Sequence, residues 1–223
     1  MRDAADIAAE TSEERARIGR EVVARLTSAG VQNAAGRNLS LWYVEEFLSQ
    51  PACDFLIAEI ERGRQPSLLL SDDPEQSFRT SESGNLDRWN DEVRTIDRRI
   101  CALMGLAERN GETLQGQRYA PGQYFRTHHD FFHTDQAYWP AQAESGGQRT
   151  WTAMIFLNQP GGGGETGFDA AGLMVPPKPG MLLMWDNMDA TGAPNLYAAH
   201  EGREVTAGTK YIVTKWFRED HWI

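Results

Sequence analysis

The stretch RTWTAMIFLN, residues 149–158, belongs to a set of short runs that predict the fold. These runs begin after residue 113, are rich in aromatic and β-branched residues and are separated by Gly, Pro and Asn; the others are GMLLMWDN, NLYAAH and GTKYIVTKWFRE. Parallel βαβ units would need a helix between successive strands, and none is indicated. We therefore expect an α+β protein that is mainly β, built as an antiparallel sandwich or barrel.

The first 110 residues have a different pattern. Apolar residues at helical spacing predict helices over about 12–29, 44–62 and 87–105, so this part is expected to be mostly helical. We expect the helices to pack on one outer face of the β structure. No repeat or linker indicates a second domain, so all 223 residues are expected to form one domain, with residues 1–35 as a helical N-terminal extension.

The formal net charge of −10 disfavours some classes of partner. Binding through phosphates needs clustered Lys and Arg, so nucleic acid and anionic membrane surfaces are both disfavoured. No apolar stretch reaches the length of a membrane span, and the N-terminal residues are too acidic and polar for a secretory signal, which predicts a cytoplasmic protein. Cys53 and Cys101 show no CxxC spacing and are expected to be buried free thiols.

The segment RYAPGQYFRTHHDFF, residues 118–132, contains the first candidate metal ligands. If residues 117–130 form one strand, alternation directs His128 and Asp130 to one face and His129 to the other. An imidazole and a carboxylate together suit Fe(II), Mn or Zn. The alternative, a histidine satisfied within the core or on the surface, is the more common explanation of such a pair.

A third ligand has few candidates, because the chain contains five histidines. His133 lies in a predicted loop and His221 near the C-terminus, whereas His200 ends the run NLYAAH among the strands. Two histidines and one aspartate have the composition of a facial triad that leaves positions on iron(II) open. Lys210 is predicted to lie in a neighbouring antiparallel strand, where it is either exposed or paired with an anion inside the barrel.

These residues occur in an order that resembles the iron(II)- and 2-oxoglutarate-dependent dioxygenases, and within them the short bacterial prolyl 4-hydroxylases. YAPGQYFRTHHD resembles the family's YxxGQxxxxHxD element, and the family's GGxR strand and GGET turn recur as GGQR and GGET. The resemblance covers about residues 40–219. It implies an iron site made by His128, Asp130 and His200, and a 2-oxoglutarate site made by Tyr119, Thr166 and Lys210.

The resemblance also implies a set of substrate contacts. It places Arg149 and Trp216 near the substrate, and FRTSESGNL resembles a loop that folds over substrate, which adds Arg79 and Ser81. Two departures from the family concern the same region. Phe125 replaces a common tyrosine, and in HEGREV the residues after His200 replace a run of small residues and proline. Neither departure touches an implied iron ligand, so they bear on the substrate and not on the reaction type.

The fold implied by the resemblance is a double-stranded β-helix, or jelly-roll barrel, with N-terminal supporting helices and a catalytic barrel at about 113–219. The implied cofactors and co-substrates are Fe(II), 2-oxoglutarate, O2 and ascorbate. The expected activity is 4-hydroxylation of a prolyl residue in a peptide or protein, with release of succinate and CO2. The alternatives are the same chemistry on a free amino acid or other small metabolite, and a non-catalytic metal-binding barrel. A homodimer is left open.

Overall fold

The computed structural model describes residue 6 and residues 10–67 and 78–222. The α-helices of this part are α1 (Glu13–Ser28), α2 (Gln50–Gly63), α3 (Asp91–Met104) and α4 (Trp139–Glu144). The strands are β1 (Gln32–Ala35), β2 (Ser40–Val44), β3 (Gln65–Pro66), β4 (Glu82–Asn85), β5 (Gln115–Tyr119), β6 (Phe125–His128), β7 (Arg149–Phe156), β8 (Gly162–Gly163), β9 (Thr166–Phe168), β10 (Leu173–Val175), β11 (Leu182–Asp186), β12 (His200–Gly202), β13 (Val205–Ala207) and β14 (Lys210–Arg218).

Most strands belong to a large antiparallel sheet in the order β1-β2-β11-β7-β14-β5-β4-β3. A second sheet has the order β10-β9-β12-β6, and β8 pairs with β13 in a two-stranded sheet. One apolar layer joins the helices to the outer face of the large sheet and includes Leu56, Ile100 and Val213. Another layer joins the inner face of the large sheet to the second sheet and includes Phe156 and Phe168. The expectation of a mainly β protein with few helices is confirmed.

Local hydrogen bonds explain where the predicted helices begin and end. The Ser12 side chain accepts a hydrogen bond from the backbone N–H of Arg15 at 3.3 Å, and the Asn90 side chain caps α3 in the same way. Gly105 ends α3 in the left-handed conformation, with φ of 72°. The predicted helix at 44–62 begins later, at Gln50, because residues 40–44 pair with β11 and lie in the large sheet.

Three expectations about the strands are wrong. The first 110 residues also contain β1 to β4, so they are less helical than predicted. Residues 117–130 form two strands in different sheets, β5 and β6, separated by a turn in which Gly122 has φ of 82°. In NLYAAH, residues 196–198 form a 3-10 helix because the Asn195 side chain accepts the backbone N–H of Tyr197, and only His200 lies in a strand.

The placement of Lys210 differs from the prediction as well. Its strand, β14, pairs with β5 and β7 and does not pair with β12, which contains His200. The two residues therefore lie in different sheets, and both line the cavity between these sheets.

Two further expectations concern the cysteines and the membrane. Cys53 and Cys101 are buried free thiols, as predicted, and burial raises the pKa of Cys101 to about 12. Within the described residues, no helix has both the length and the apolar character that a membrane crossing requires.

Candidate metal and co-substrate site

Strand pairing brings two histidines together in the second sheet. In the antiparallel pairing of β12 with β6, His200 lies directly opposite His128, and their ring centroids are 4.3 Å apart. Asp130 follows β6 by two residues. Its Oδ1 lies 4.0 Å from His128 Nε2 and its Oδ2 lies 3.7 Å from His200 Nε2. One ligand atom from each of these three residues lies within 4.8 Å of the others.

Each histidine is oriented by a backbone carbonyl of its own segment. His128 Nδ1 lies 2.8 Å from the Arg126 carbonyl oxygen, and His200 Nδ1 lies 2.9 Å from the Ala198 carbonyl oxygen. A carbonyl can only accept, so both Nδ1 atoms carry the proton in the neutral ring. Both Nε2 lone pairs are then free and face Asp130, the arrangement that metal-ligating histidines require.

The protonation states also suit a metal. Burial, reinforced by the neighbouring His200, lowers the pKa of His128 to about 3, so this ring is neutral at physiological pH. Burial alone would raise the pKa of Asp130, but His200, His128, Arg149 and a hydrogen bond from Thr152 bring it below its ordinary value. Two imidazoles and one carboxylate on one side of a site are the donor set of a facial triad for Fe(II).

His129 does not join this cluster. Its ring stacks on Phe131 with centroids 4.5 Å apart, and its Nε2 lies 3.4 Å from the Leu196 carbonyl oxygen. The side chain therefore points away from the other two histidines, as alternation predicts. The prediction was reached from one continuous strand, and that premise is wrong because β6 ends at His128. Asp130 lies two residues after the end of β6, and its side chain nevertheless joins His128 and His200 in the cluster.

The cluster opens onto a cavity between the two sheets. Alternation along β14 directs every second side chain into this cavity, beginning with Lys210 and ending with Trp216. The lining residues are Gln117, Tyr119, Phe125, His128, Asp130, Met154, Thr166, Trp185, His200, Gly202, Lys210, Ile212, Thr214 and Trp216.

Lys210 is a buried cation at this cavity. It is 1% exposed, and its Nζ lies 5.3 Å from the ring centroid of Tyr119 and 5.4 Å from that of Phe156. No carboxylate of the described residues lies within the 4.0 Å of an ion pair with it. Burial lowers its pKa to about 7, and the more distant Glu165 acts in the opposite direction. An anion that entered the cavity would supply the missing partner.

Other polar atoms at the cavity also lack partners. The hydroxyl of Thr166 is buried without a hydrogen bond, and so are the indole N–H groups of Trp185 and Trp216. The Tyr119 hydroxyl donates to Gln117 Oε1 at 2.8 Å. Unpaired buried polar groups are costly, so their presence around one cavity fits a polar ligand that completes them.

The predicted substrate contacts lie near the cavity, but only Trp216 is part of its lining. Arg149 binds Glu112 through two hydrogen bonds of 2.6 and 2.8 Å, and its guanidinium lies 4.1 Å from the ring centroid of Trp216. Arg79 donates to the Ser81 hydroxyl at 2.9 Å and lies 4.7 Å above the ring of Phe125. Phe125 in turn stacks on the ring of His128.

Several lining residues were missed from the sequence although a signal was present. Counting by two along the strand from Lys210 reaches Ile212, Thr214 and Trp216, and counting by two from Tyr119 reaches Gln117. Met154 and Trp185 carry no such local marker, because their place depends on how β7 and β11 pair with β14 and with each other.

Comparison with known proteins finds similarity to one family. Residues 114–218 match the family model of the 2OG-Fe(II) oxygenase superfamily. Prolyl 4-hydroxylase 2 of Arabidopsis thaliana is 29% identical over 202 residues, which cover 79% of this chain and 66% of that protein. A putative prolyl 4-hydroxylase of Acanthamoeba polyphaga mimivirus is 32% identical over 146 residues, which cover 65% of this chain and 60% of that protein. The chain thus spans about two thirds or less of the length of these two relatives.

A solved structure agrees with these matches. The viral collagen prolyl hydroxylase of Paramecium Bursaria Chlorella virus-1, solved as its 2OG complex, superposes with a TM-score of 0.62 at 27% identity, covering 80% of this chain and 95% of that one. Sequence, fold and the clustered His128, Asp130 and His200 agree. By these matches the chain is similar to the 2OG-Fe(II) oxygenase superfamily and, within it, to the prolyl 4-hydroxylases.

Proposed function

We propose that this protein is an Fe(II)- and 2-oxoglutarate-dependent dioxygenase that 4-hydroxylates a prolyl residue in a peptide or protein. One observation carries the proposal above the others. A cluster of two histidines and one aspartate shares a cavity with Lys210, a buried cation that has no carboxylate partner among the described residues. The cluster suits a metal and the cation suits the far end of a dicarboxylate.

His128, Asp130 and His200 would hold the iron, because their ligand atoms converge and because the lowered pKa values of His128 and Asp130 favour a neutral ring and an ionised carboxylate. Bound Fe(II) would supply the redox chemistry by which dioxygen and 2-oxoglutarate convert a C–H group of the substrate into C–OH, with release of succinate and CO2. The chain itself contributes binding, orientation and the exclusion of water.

Three residues would orient 2-oxoglutarate. Lys210 would form a charge-assisted hydrogen bond with the carboxylate farthest from the metal. Thr166, whose buried hydroxyl has no partner, would donate to the same ligand, and Tyr119 would contribute its hydroxyl. These interactions fix geometry and transfer no proton.

The substrate would lie on the side of the cavity bordered by Trp216. Arg149 stacks on Trp216 and is kept there by Glu112, which supports a role for this pair as a rigid wall. Arg79 and Ser81 would contact the substrate from the other edge, beside Phe125. The prolyl hydroxylases among the relatives support a proline-containing peptide as the substrate.

We also propose the finer fold that these roles imply. The large sheet and the second sheet would be the two halves of a double-stranded β-helix, with α1, α2 and α3 on the outer face. Residues 1–223 would form one domain, with the catalytic part at about 113–219. The apolar layer shared by α1 to α3 and the large sheet supports a single folding unit.

Succinate release tests the function. Purified protein with Fe(II), ascorbate and 2-oxoglutarate is expected to release succinate slowly alone and faster with proline-rich peptides. His128→Ala and His200→Ala should abolish the release, because each removes one metal ligand. His129→Ala is the matched control, since this neighbouring histidine lies outside the cluster, and it should retain most of the activity.

Two outcomes would contradict the proposal in different ways. No succinate under any condition, with metal affinity unchanged in His128→Ala and His200→Ala, would exclude the dioxygenase activity and leave a non-catalytic barrel. Stimulation by free amino acids but not by peptides would keep the chemistry and replace the substrate with a small metabolite.

A further inference from the structure

A chain of hydrogen bonds joins Asp130 to Thr152 and Asn187. The Thr152 hydroxyl donates to Asp130 Oδ2 at 2.7 Å, and the Asn187 side-chain amide donates to the Thr152 hydroxyl oxygen at 2.9 Å. All three residues are buried, with exposures of 6% for Asp130 and 0% for Thr152 and Asn187. Water therefore has little access to these bonds.

The two supporting residues belong to a rigid part of the fold. Thr152 lies in β7, between Trp185 on β11 and Trp216 on β14 in the register of the large sheet. Asn187 directly follows β11, and its backbone N–H donates to the Thr150 carbonyl at 2.8 Å. Asp130 lies outside any strand. The chain of hydrogen bonds thus joins a carboxylate in a loop to the centre of the large sheet.

The number of hydrogens on each group sets which atom donates in the two bonds of Thr152. A threonine hydroxyl has one hydrogen to donate. Because the Asn187 amide already donates to the Thr152 oxygen, the hydroxyl hydrogen remains available for Asp130. Asn187 therefore selects the donor orientation of Thr152, and Thr152 selects the rotation of the Asp130 carboxylate.

Asn187 is a poor choice for stability alone. Its Oδ1 is buried and has no hydrogen-bond partner among the described residues, and such an acceptor weakens the folded state. A leucine of similar shape would avoid that loss. The retained amide is explained if its donor group serves the site.

We propose that Thr152 and Asn187 are positioning residues for the metal-binding carboxylate of Asp130. This inference rests on the proposed function, because it assumes that the cluster of His128, Asp130 and His200 binds a divalent metal. With Oδ2 held by Thr152, the carboxylate keeps its orientation before the metal arrives. Partners of this kind change metal affinity by about 10- to 100-fold in other proteins.

Titration with Co(II) in the absence of oxygen tests the first residue. Thr152→Val keeps the shape and removes the hydroxyl, and it is expected to weaken Co(II) affinity by at least about 10-fold and to alter the visible absorption of the bound ion. Thr152→Ser restores the hydroxyl and should restore both. The matched control is Thr150→Val, in the same strand, because that hydroxyl bonds to the Phe217 carbonyl and not to Asp130.

Asn187→Leu tests the second residue through two measurements, the melting temperature without metal and the affinity for Co(II). The melting temperature without metal should stay the same or rise, since the unpaired acceptor is removed, while Co(II) affinity should fall. A residue with a merely structural role would not separate the two measurements.

The inference is overturned if Thr152→Val binds Co(II) as tightly as the unchanged protein with the same absorption, or if Thr152→Ser fails to restore affinity. Equal Co(II) affinity in Asn187→Leu would remove Asn187 from the assignment. If the unchanged protein binds no Co(II), the proposed function fails first, so the two failures can be told apart.

Discussion

Two lysines on β14 are equally buried and have opposite surroundings. Lys210 and Lys215 are each 1% exposed, but alternation directs Lys210 to the inner face of the large sheet and Lys215 to the outer face. Lys215 forms an ion pair with Asp97 of α3 at 2.5 Å and donates to the Glu112 carbonyl at 3.0 Å. Lys210 has no such partner among the described residues.

The difference indicates a structural role for Lys215 and a ligand-binding role for Lys210. Burying a cation is costly unless it is paired, and among the residues that the structure describes a carboxylate offsets this cost for Lys215 but not for Lys210. Lys210 lies in the cavity that is also lined by His128, Asp130 and His200, where an anionic ligand can reach it. Burial alone identifies neither role. The partner distinguishes them.

Lys210→Met should have the largest effect on this comparison. Loss of one partner from a buried charge pair costs about 2–5 kcal/mol of binding, so the KM for 2-oxoglutarate is expected to rise at least about 30-fold. The melting temperature of the free protein should stay the same or rise, because an unpaired buried cation is removed. Succinate release at varied 2-oxoglutarate and thermal unfolding measure the two effects. A lower melting temperature with an unchanged KM would give Lys210 the structural role.

Raising the pH should weaken co-substrate binding through the same residue. The pKa of Lys210 is lowered by burial to about 7 in the free protein, whereas a bound dicarboxylate favours the protonated form. The dissociation constant for 2-oxoglutarate is therefore expected to rise by up to about tenfold per pH unit above pH 7. Anaerobic calorimetry from acidic to alkaline pH measures it, and Lys210→Met should show a flatter dependence.

The same pKa fixes the sign of a stability change. The folded value of about 7 lies below the ordinary value of 10.5, so between those pH values the unfolded chain binds more protons than the folded one. The contribution of Lys210 to the stability of the free protein should thus rise with pH across this window. Denaturant unfolding of the unchanged protein and of Lys210→Met, compared at both ends of the window, isolates that contribution.

Lys215→Met should reverse the pattern seen for Lys210→Met. It leaves Asp97 without its partner, and since the Asp97 side chain is 24% exposed, the loss should be smaller than for a fully buried pair. We expect a decrease of about 2 kcal/mol in the free energy of unfolding, with the KM for 2-oxoglutarate unchanged. Asp97→Asn in the same background measures the coupling. A changed KM would break the separation between the two faces.

Tyr211→Phe should have the smallest effect. Tyr211 follows Lys210 in the chain, but its side chain lies on the outer face of the large sheet. Its hydroxyl donates to Glu61 at 2.7 Å in an exposed position. We expect less than about 1 kcal/mol of stability to be lost and no change in the KM for 2-oxoglutarate. An effect on KM as large as that of Lys210→Met would show that proximity along the strand, and not the face, decides the role.

Much of the candidate site could be predicted from the residues themselves. His128, Asp130, His200 and Lys210 were selected by residue type, by alternation and by their position among strands, and the structure brings all four to one cavity. Alternation is a property of the extended backbone, so it holds wherever a strand forms. The same rule would have found Gln117 and Thr214, had it been applied along the rest of each strand.

Other features were beyond local patterns. The strand Ser40–Val44 was not predicted, and only its last residue fell within the helix expected at about 44–62; its pairing with β11 is a long-range contact that local spacing does not reveal. The turn at Gly122 divides β5 from β6 and places them in different sheets. Lys210 was expected beside His200 and lies in the facing sheet instead.

The sequence by itself determined the chemistry: which side chains can bind a metal or an anion, in what order they occur, and which neighbours share a face of a strand. Only the tertiary structure decided that His200 pairs opposite His128, that Lys215 has a carboxylate partner while Lys210 has none within the described part of the chain, and that Asn187 and Thr152 form hydrogen bonds leading to Asp130. The reason is physical. Side-chain chemistry and alternation are local, whereas the choice of partners depends on which distant strands the burial of apolar surface brings together.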